Sequence, residues 1–198
     1  MAHKNEKRSA ETQEKLISAG RELFVKKGFS ETGTPEIVKH AEVTRGALYH
    51  HFADKTDLFR AVIVNEAQSV ERYITAAAIT EETPIDGLLK GASAYFDAMR
   101  EPGRAQLLLI DGPAVLGVDR MAEIDRQIGA DGLLVGLEAA ASEAEHTDLP
   151  LRELAVLLSS GFDRAALEIS RGADPEPYKL AFQVLLSGLF AGPDVGGV

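Results

Sequence analysis

The chain has 198 residues, of which 45% are hydrophobic and 26% charged, and its formal net charge is −10. This length allows one or two small domains, each with a buried core. There is no cysteine, which excludes disulfides, thiolate metal sites and a cysteine nucleophile and agrees with a cytoplasmic protein. The polar N-terminal stretch predicts no signal peptide, and no apolar run reaches the roughly 18 residues of a membrane span.

The charge is unevenly distributed along the chain. Residues 1–60 contain 11 Lys and Arg against 9 Asp and Glu, whereas residues 61–198 contain 10 against 22. This asymmetry predicts two modules, a nearly neutral head that can face phosphates and an acidic body that faces solvent. The alternative for the body is a solvated acidic surface that only keeps the protein soluble.

Apolar residues at helical spacing predict a first helix over residues 12–27, TQEKLISAGRELFVKK. Gly28 follows two lysines and precedes Phe29, a pattern typical of a helix that ends on a glycine. Thr34 can cap a second helix, because Pro35 suits the first helical position and apolar residues follow it. This second helix has only two turns, so it must pack on its neighbours.

The next segment, VTRGALYHHF, predicts a third short helix after a tight turn. Thr44 can cap this helix, which runs to about His50, and Asp54 can cap a fourth. An apolar stripe predicts that the fourth helix is long. The stripe consists of Leu58, Phe59, Val62, Ile63, Val70 and Ile74. One helix, a short helix, a tight turn and a second short helix together predict a helix-turn-helix.

The second helix of a helix-turn-helix enters the major groove of DNA with its N-terminal residues first. Arg45 has the fork geometry that reads guanine through O6 and N7, and Gly46 lets the backbone approach closely. Tyr49 and His50 lie one turn further, within reach of phosphates or base edges. Lys55, at the start of the next helix, can contact a phosphate. The candidate DNA-binding residues are Thr34, Thr44, Arg45, Gly46, Tyr49, His50 and Lys55.

The adjacent His50 and His51 raise the question of a metal site. Neighbouring residues on a helix point about 100° apart and do not face each other. The chain also has no cysteine that could complete a ligand set. We therefore expect no metal and no cofactor, and we place these histidines toward DNA or at the edge of the core.

Residues 56–190 are predicted to be helical throughout, without lasting strand-like alternation. Amphipathic stretches are predicted over residues 84–99, 125–144, 149–171 and 175–190. The last two are apolar over more than one face, so each needs two neighbours. A second copy of the chain can supply the extra neighbour in a two-fold, four-helix interface. The alternative is a core pair inside a monomer.

The stretch AQLLLIDGPAVLG, residues 105–117, is predicted to break at Gly112–Pro113. Its GPAVLG segment is not a phosphate loop, because it has neither a lysine nor a preceding strand. The chain has no G-x-S-x-G nucleophile turn, and its carboxylates are scattered along predicted solvent faces. No nucleophile, base and orienting group can be assembled, so we expect that the chain is not an enzyme.

The segment TPEIVKHAEVTRGALYHHFADKTDLFRAVI closely resembles the recognition region of TetR-type bacterial transcriptional regulators, and the likeness covers about residues 12–64. Such regions have a short helix, an Ala-Gly-Val turn and then Ser/Thr-Arg-Gly-x-Leu-Tyr-x-His-Phe. This chain departs from the pattern at Glu42, where the family has glycine. The position needs a positive φ, which costs about 1–2 kcal/mol for a residue other than glycine, unless the turn is built differently.

The resemblance implies an all-α fold with a three-helix DNA-binding domain over residues 1–54 and a helical effector-binding and dimerisation domain over residues 55–198. It implies a homodimer formed by the last two long helices, at about 149–171 and 175–190. Such a dimer represses transcription from a palindromic operator of double-stranded DNA, until a small molecule binds. The alternative is a helix-turn-helix protein without a small-molecule effector, controlled by a protein partner or by its abundance.

The resemblance also implies a small-molecule pocket whose occupancy changes the separation of the two heads, with the fourth helix as the lever. The candidate effector-binding residues are Tyr73, Phe96, Met99, Leu107, Ile110, Asp111 and Phe162. Asp111 either recognises a cationic group or caps a helix that starts at Pro113.

Overall fold

A computed structural model describes residues 2–128, 132–145 and 148–190. All regular secondary structure in these residues is helical, which confirms the predicted all-α fold. None of the helices in these ranges is both long and apolar enough to cross a membrane. The helices are α1 (Ala2–Glu31), α2 (Thr34–His40), α3 (Arg45–His51), α4 (Lys55–Ala78), α5 (Pro84–Met99), α6 (Arg104–Gln106), α7 (Gly112–Leu116), α8 (Val118–Ile128), α9 (Gly132–Glu143), α10 (Leu151–Ser170) and α11 (Pro175–Phe190), with a π-helical segment (Leu107–Asp111) between α6 and α7.

The chain divides by its internal contacts into two compact units. The first unit holds residues 1–67 and 102–124, and the second holds residues 68–101 and 125–198. Residues 102–124 therefore pack with the N-terminal helices, although they are far from them in the sequence. These units are defined by internal contacts, whereas the predicted boundary after residue 54 separates a DNA-binding from an effector-binding domain. That functional boundary stays a prediction.

Helix α1 is longer than the sequence pattern predicted. It begins at Ala2, because residues 2–11 contain neither glycine nor proline and nothing in the backbone ends a helix there. The first helix was predicted to end at Gly28, and its regular part does so, because Gly28 has a non-helical backbone with φ 80° and ψ 167°. One further helical turn follows this kink and ends at Glu31.

Side chains from α1 to α4 form the core of the first unit. The Phe59 ring meets the rings of Phe24 and Phe29, each at 5.1 Å between ring centroids and edge-on. Ile37 of α2 and Leu48 of α3 are completely buried. These contacts stabilise α2 and α3, which are too short to be stable alone.

The predicted break at Gly112–Pro113 is wrong. The chain stays helical from α6 through the π-helical segment to α7 and ends at Gly117, whose φ is 86°. A π-helical turn bonds i to i+5, and Pro113 follows it in the first turn of α7, where a missing N–H is tolerated. A Cβ at residue 112 would lie 3.0 Å from the Leu107 carbonyl oxygen and 3.0 Å from the Met121 sulfur, so a larger residue would require these neighbours to shift.

In the second unit, α5, α9, α10 and α11 pack on one another around an aromatic centre. The Phe162 and Phe182 rings stack at 3.9 Å between centroids, and Phe96 lies 5.5 Å from each. Three predicted helical stretches correspond to α5, α10 and α11. The remaining predicted stretch covers residues 125–144. Its first residues form the end of α8, residues 129–131 lie outside the described residues, and α9 follows.

Candidate nucleic-acid interface

Thr34 is the first residue of α2 and not its cap. Gly33 holds the N-cap position in an extended conformation and has no side chain that could accept a capping hydrogen bond. The prediction that Thr34 caps α2 is therefore wrong, because the chain enters the helix one residue earlier and Pro35 takes the second helical position. The Thr34 side chain is half-buried and is hydrogen-bonded to Tyr49 of α3 instead.

The turn between α2 and α3 contains Glu42 with φ 53°, which confirms the predicted positive φ. The Glu42 N–H donates to the Lys39 carbonyl at 3.3 Å, and the Val43 N–H donates to the Val38 carbonyl at 3.0 Å. These two bonds form a Schellman motif, which closes a helix through a left-handed residue that is usually glycine. The turn geometry that the resemblance implies is therefore present, with a glutamate at the left-handed position.

Helix α3 begins as predicted, with Thr44 at the N-cap. The Thr44 hydroxyl oxygen accepts from the Ala47 N–H at 3.1 Å. Leu48 is buried, so the opposite side of this short helix faces solvent. The predicted DNA-binding residues on this side are exposed: Thr44, Arg45, Gly46, Tyr49 and His50.

Arg45 and Tyr49 lie one turn apart and interact. The Arg45 guanidinium carbon is 5.5 Å from the centroid of the Tyr49 ring. The pKa of the Tyr49 hydroxyl is lowered, first by its hydrogen bond with Thr34 and then by Arg45. These contacts restrict the rotamers of Arg45 and Tyr49, so a ligand in front of α3 would meet a partly pre-ordered pair of donors.

Lys55 has a role that the sequence did not reveal. Its ammonium group donates to the carbonyl oxygens of Phe29 at 2.8 Å and Thr32 at 3.0 Å, and it lies 4.2 Å from the Phe29 ring centroid. These contacts tie the start of α4 to the end of α1. The predicted phosphate contact of Lys55 stays a prediction, since much of its donor capacity is used inside the unit.

Helix α4 begins as predicted, on Asp54. The Asp57 N–H donates to the Asp54 carboxylate at 2.8 Å, and the Asp57 carboxylate accepts from the Ala53 N–H at 3.1 Å. This reciprocal arrangement resembles a capping box, with aspartate in both acidic positions. It fixes the chain between the recognition helix α3 and the long helix α4.

The rings of His50 and His51 lie 5.2 Å apart, at an angle of 74°. His50 is exposed, and His51 is half-buried and packs near the Phe52 ring. Within the part of the chain that the structure describes, no three potential metal-ligating side chains of His, Asp or Glu cluster together. His50 therefore shares the exposed side of α3 with Arg45 and Tyr49.

The predicted effector-binding residues do not all fall in one unit. Leu107, Ile110 and Asp111 belong to the first unit, whereas the rest belong to the second. The Asp111 carboxylate accepts from the Gln106 side-chain amide at 2.8 Å and makes no capping bond to α7, so its predicted capping role is wrong. The reason is that Asp111 is already helical, with φ −72° and ψ −38°. The predicted residues of the second unit are Tyr73, Phe96, Met99 and Phe162.

Among these second-unit residues, Phe96 and Phe162 are in contact and Met99 is buried, whereas Tyr73 is 53% exposed. A cleft of about 370 Å³ lies between α5 and α11. Its lining includes the buried rings of Phe96 and Phe182 and charged side chains of both signs: Glu81, Asp86, Lys90, Glu176 and Lys179. Phe96 is the one predicted effector residue that lines this cleft.

The second unit also contains a partly buried hydrogen bond that the sequence did not predict. The Tyr95 hydroxyl on α5 donates to the Asp163 carboxylate on α10 at 2.6 Å. Burial, followed by the charge of Asp163, raises the pKa of Tyr95 well above its ordinary value. Burial likewise raises the pKa of the Asp163 carboxyl, and the Tyr95 hydrogen bond offsets only part of that rise.

Two family models match the chain. Residues 16–62 match the model of bacterial regulatory proteins of the tetR family, and residues 85–192 match the tetracyclin repressor-like C-terminal domain. The second match alone covers more than half of the chain. The chain belongs to the TetR family of bacterial regulatory proteins, which confirms the resemblance and agrees with the prediction that it is not an enzyme.

Curated relatives are similar to the chain over shorter stretches. The chain is 44% identical over 62 residues to the HTH-type transcriptional regulator AcrR of Shigella flexneri, which is 31% of this chain and 29% of that protein. It is 42% identical over 55 residues to the HTH-type transcriptional repressor BepR of Brucella suis, which is 28% of this chain and 26% of that protein. The chain thus spans less than a third of the length of either relative.

Solved structures are similar over nearly the whole chain. A TetR-family transcriptional regulator from Pectobacterium atrosepticum has a TM-score of 0.67 and 28% identity, and the match covers 93% of this chain and 94% of that one. A TetR-like transcriptional regulator from Rhodococcus sp. RHA1 has a TM-score of 0.69 at 17% identity, with 91% and 97% covered. The second likeness shows the fold alone.

Proposed function

We propose that this chain is a sequence-specific DNA-binding transcriptional regulator. In the full proposal it is a dimeric repressor that leaves a palindromic operator when a small molecule binds its C-terminal domain, residues 55–198. Membership of the TetR family supports the regulatory class. A repressor acts where the chromosome lies, so the predicted cytoplasmic location belongs to the same proposal.

The exposed side of α3 is the observation that carries the DNA-binding part. It combines a guanidinium, a phenol hydroxyl and an imidazole on a helix whose other side is buried in the core. Arg45 suits guanine, and the pre-ordered Tyr49 beside it suits a phosphate or a base edge. The N-terminal end of this helix has no acidic residue in its first turn, so no carboxylate on α3 opposes the DNA.

Exposed apolar side chains on the last two helices support the dimer. On α10 and α11 five large aliphatic residues are between 55% and 69% exposed. They are Val156, Leu157, Leu180, Val184 and Leu185. Five large aliphatic side chains this exposed on two helices are unusual on a monomer, and a partner buries such apolar surface in stable assemblies. Two heads in one dimer would read two half-sites, because a single seven-residue recognition helix offers too little contact for specific binding.

A second candidate function lacks the small-molecule effector and relies on a protein partner or on abundance. The observation that favours it is the close packing of the predicted pocket residues Phe96 and Phe162. Their rings are 5.5 Å apart and Phe182 stacks on Phe162, so these side chains fill the centre of the second unit. An effector that reached them would have to displace aromatic core contacts.

Selection of binding sites from a random duplex pool, with the purified protein and subsequent sequencing, tests the DNA-binding proposal. We expect enrichment of a palindrome whose half-sites lie about one helical turn apart, or wider. The Arg45→Ala variant, selected in parallel, should enrich a site that is degenerate at one position in each half. If the wild-type protein enriches no sequence, the proposal that the chain reads DNA sequence is wrong.

The effector is tested separately, on the selected palindrome. The protein–duplex complex is challenged with a small-molecule collection, and release of the duplex is followed by fluorescence anisotropy. A compound that releases the duplex and raises the melting temperature of the free protein supports the effector-controlled repressor. If sequence-specific binding persists with every compound, and native mass spectrometry of the protein finds no co-purified molecule, the alternative function is favoured.

A further inference from the structure

The cleft between α5 and α11 has a size that small ligands occupy. Its volume is about 370 Å³, within the range of about 300–1,000 Å³ that is typical of ligand pockets. Asp86, Lys90 and Ser93 all line it, because residues three and four apart lie on the same side of a helix. Every lining residue belongs to the second unit, so the cleft lies within one compact part of the chain.

Apolar side chains form part of the wall of this cleft. Leu89 and Ala92 of α5 are half-buried, and the rings of Phe96 and Phe182 are 0% and 8% exposed. Side chains of this kind hold the apolar body of a ligand by van der Waals contact. Phe162 is not part of the lining, so a ligand in the cleft need not separate the stacked rings of Phe162 and Phe182.

Several charged groups of the lining already have partners. The Asp86 carboxylate accepts from the Thr83 hydroxyl at 2.7 Å, in the first turn of α5. The Lys179 ammonium donates to the Asp97 carboxylate at 2.8 Å and lies 3.5 Å from the Glu176 carboxylate. The positive charge of Lys179 is therefore balanced by two carboxylates before any ligand enters.

The Lys90 ammonium differs from these groups. Within residues 2–128, 132–145 and 148–190 it makes neither a hydrogen bond nor an ion pair, whereas Glu81 accepts from the Thr80 hydroxyl at 3.3 Å. The side chains of Ser93 and Gln183, which also line the cleft, have no hydrogen-bond partner in the same ranges. An entering carboxylate can therefore pair with Lys90 and accept from either side chain without breaking an existing contact.

We propose that this cleft binds a small carboxylic acid with a compact apolar body. Its carboxylate pairs with Lys90, and its body lies toward Phe96 and Phe182. Six residues separate Lys90 from Phe96, which is about 9 Å along the axis of α5, and this distance sets the length of the ligand. The inference goes beyond the proposed function, because it concerns what the second unit binds and does not require that the ligand releases DNA.

The test measures binding of three probes of similar shape to the full chain. Naphthylacetate carries the carboxylate, naphthylacetamide is its neutral counterpart, and naphthylethylamine is a cation, for which the three carboxylates of the lining are the competing attraction. Fluorescence anisotropy of the naphthalene ring gives each dissociation constant directly, since the chain contains no tryptophan whose emission would interfere.

Two variants change the cleft. Lys90→Gln removes the charge and keeps a polar side chain, and Ser93→Leu fills part of the volume. The matched controls are Arg152→Gln and Ser142→Leu, because both residues are exposed in the same unit and neither lines the cleft. Circular dichroism and thermal melting confirm that each variant is folded.

We expect naphthylacetate to bind the wild-type protein and both controls with a dissociation constant of about 1 mM or below, which is ordinary for a ligand of this size. Naphthylacetamide should bind at least about threefold more weakly. Lys90→Gln should abolish this difference between the two probes, since the difference measures the pairing of the two charges. Ser93→Leu should weaken the binding of both probes at least about tenfold.

Four results would overturn the inference. They are a preference for the carboxylate that survives in Lys90→Gln, unchanged binding in Ser93→Leu, tighter binding of naphthylethylamine than of naphthylacetate, and absence of saturable binding of every probe. No DNA is present in this experiment, so its failure leaves the DNA-binding proposal as it stands. Failure to select a palindrome likewise leaves the cleft unaffected.

Discussion

At the scale of single residues, the proposed sequence specificity depends on how α3 holds the Arg45 side chain. It is exposed on the first turn of α3 and lies against the ring of Tyr49, which in turn is hydrogen-bonded to Thr34 of α2. This chain of contacts reduces the rotamer entropy that Arg45 would lose on binding a base. Arg45 therefore has both the donor geometry and the support that a base contact needs.

We expect Arg45→Ala to weaken binding to the preferred duplex by about 1–3 kcal/mol and to relax specificity at one base pair per half-site. Fluorescence anisotropy with the selected palindrome and single-base variants measures both effects. Arg164→Ala is the control, since it removes an exposed arginine from the second unit. An equal loss on every duplex would instead assign Arg45 to a phosphate.

Glu42 illustrates strain at a single residue. Its φ of 53° is required by the Schellman motif that ends α2. We expect Glu42→Gly to raise the free energy of unfolding by about 0.5–1 kcal/mol, because relief of about 1–2 kcal/mol of strain exceeds the added entropy of glycine in the unfolded chain. Urea denaturation measures the change.

Glu42→Gln separates strain from charge in the same turn, since it keeps the Cβ and removes the carboxylate. Its stability should match that of the wild type, whereas both variants should bind non-specific DNA more tightly at low salt. If Glu42→Gly and Glu42→Gln raise the free energy of unfolding equally, the charge of Glu42 and not its positive φ destabilises the fold.

At the scale of the helices, the capping of helix ends and the contacts between helices stabilise the first unit more than intrinsic helix propensity does. Helices α2 and α3 have seven residues each, so their stability comes from caps and from burial of Ile37 and Leu48. Charged side chains strengthen the junctions between helices, as Lys55 does between α1 and α4 and Glu66 does between α1, α4 and α6. Breaking one buried charged junction should therefore destabilise the first unit as a whole.

The Glu66 junction predicts a defined pH dependence of stability. Its folded pKa is below its unfolded value, so its stabilising contribution is present above the unfolded pKa, about 4.3, and is lost as the pH falls through the folded pKa. We expect Glu66→Gln to lower the free energy of unfolding at pH 7 by about 2–3 kcal/mol, because its partners Arg21 and Arg104 lose their counter-charge while keeping some solvent exposure. Urea titrations at pH 7, 5 and 3 should show the difference shrinking only below about pH 4.

In the second unit, Asp163→Asn should change the free energy of unfolding in the opposite direction from Glu66→Gln, or leave it unchanged. Burial raises the pKa of Asp163, so its charge destabilises the fold at neutral pH. The asparagine keeps an acceptor for the Tyr95 hydroxyl and should leave stability at pH 7 unchanged or increase it. A large loss in Asp163→Asn, with none in Glu66→Gln, would reverse the roles assigned to these two carboxylates.

At the scale of the whole molecule, the acidic charge is concentrated outside the first 60 residues. Repulsion between DNA and that acidic surface would limit non-specific wrapping and leave affinity to the recognition helices. The exposed aliphatic residues of α10 and α11 would supply the other global property, the proposed association of two copies. The acidic surface and the proposed dimer would both favour specific binding to a two-fold symmetric DNA site.

We expect Leu157→Glu to raise the dimer dissociation constant at least 100-fold, because two copies of a charge would be buried in one two-fold interface. Sedimentation equilibrium measures the constant, and circular dichroism checks that the monomer stays folded. Val135→Glu is the matched control, since Val135 is 59% exposed on α9 of the same unit. A dimer unaffected by Leu157→Glu would place the interface elsewhere.

Much of this architecture could be predicted from the sequence, because the signals are local. Period-3.6 apolar spacing predicted the helices, the position of Gly28 predicted the end of the first regular helix, and the hydroxyl of Thr44 predicted a cap. The exposed side of α3 followed from the same spacing, once Leu48 was assigned to the core. Each of these features involves residues no more than a few positions apart.

The tertiary structure decided what local spacing could not. Lys55 meets carbonyls 26 and 23 residues away, and Glu66 meets arginines 45 and 38 residues away, so no short pattern marks either contact. The helical continuity across Gly112–Pro113 depends on a π turn packed against Met121. Sequence periodicity determines which face of a helix is apolar. Only tertiary packing determines which distant side chain contacts that face. Bringing distant residues together costs loop-closure entropy, and contacts that form only in the folded chain offset this cost.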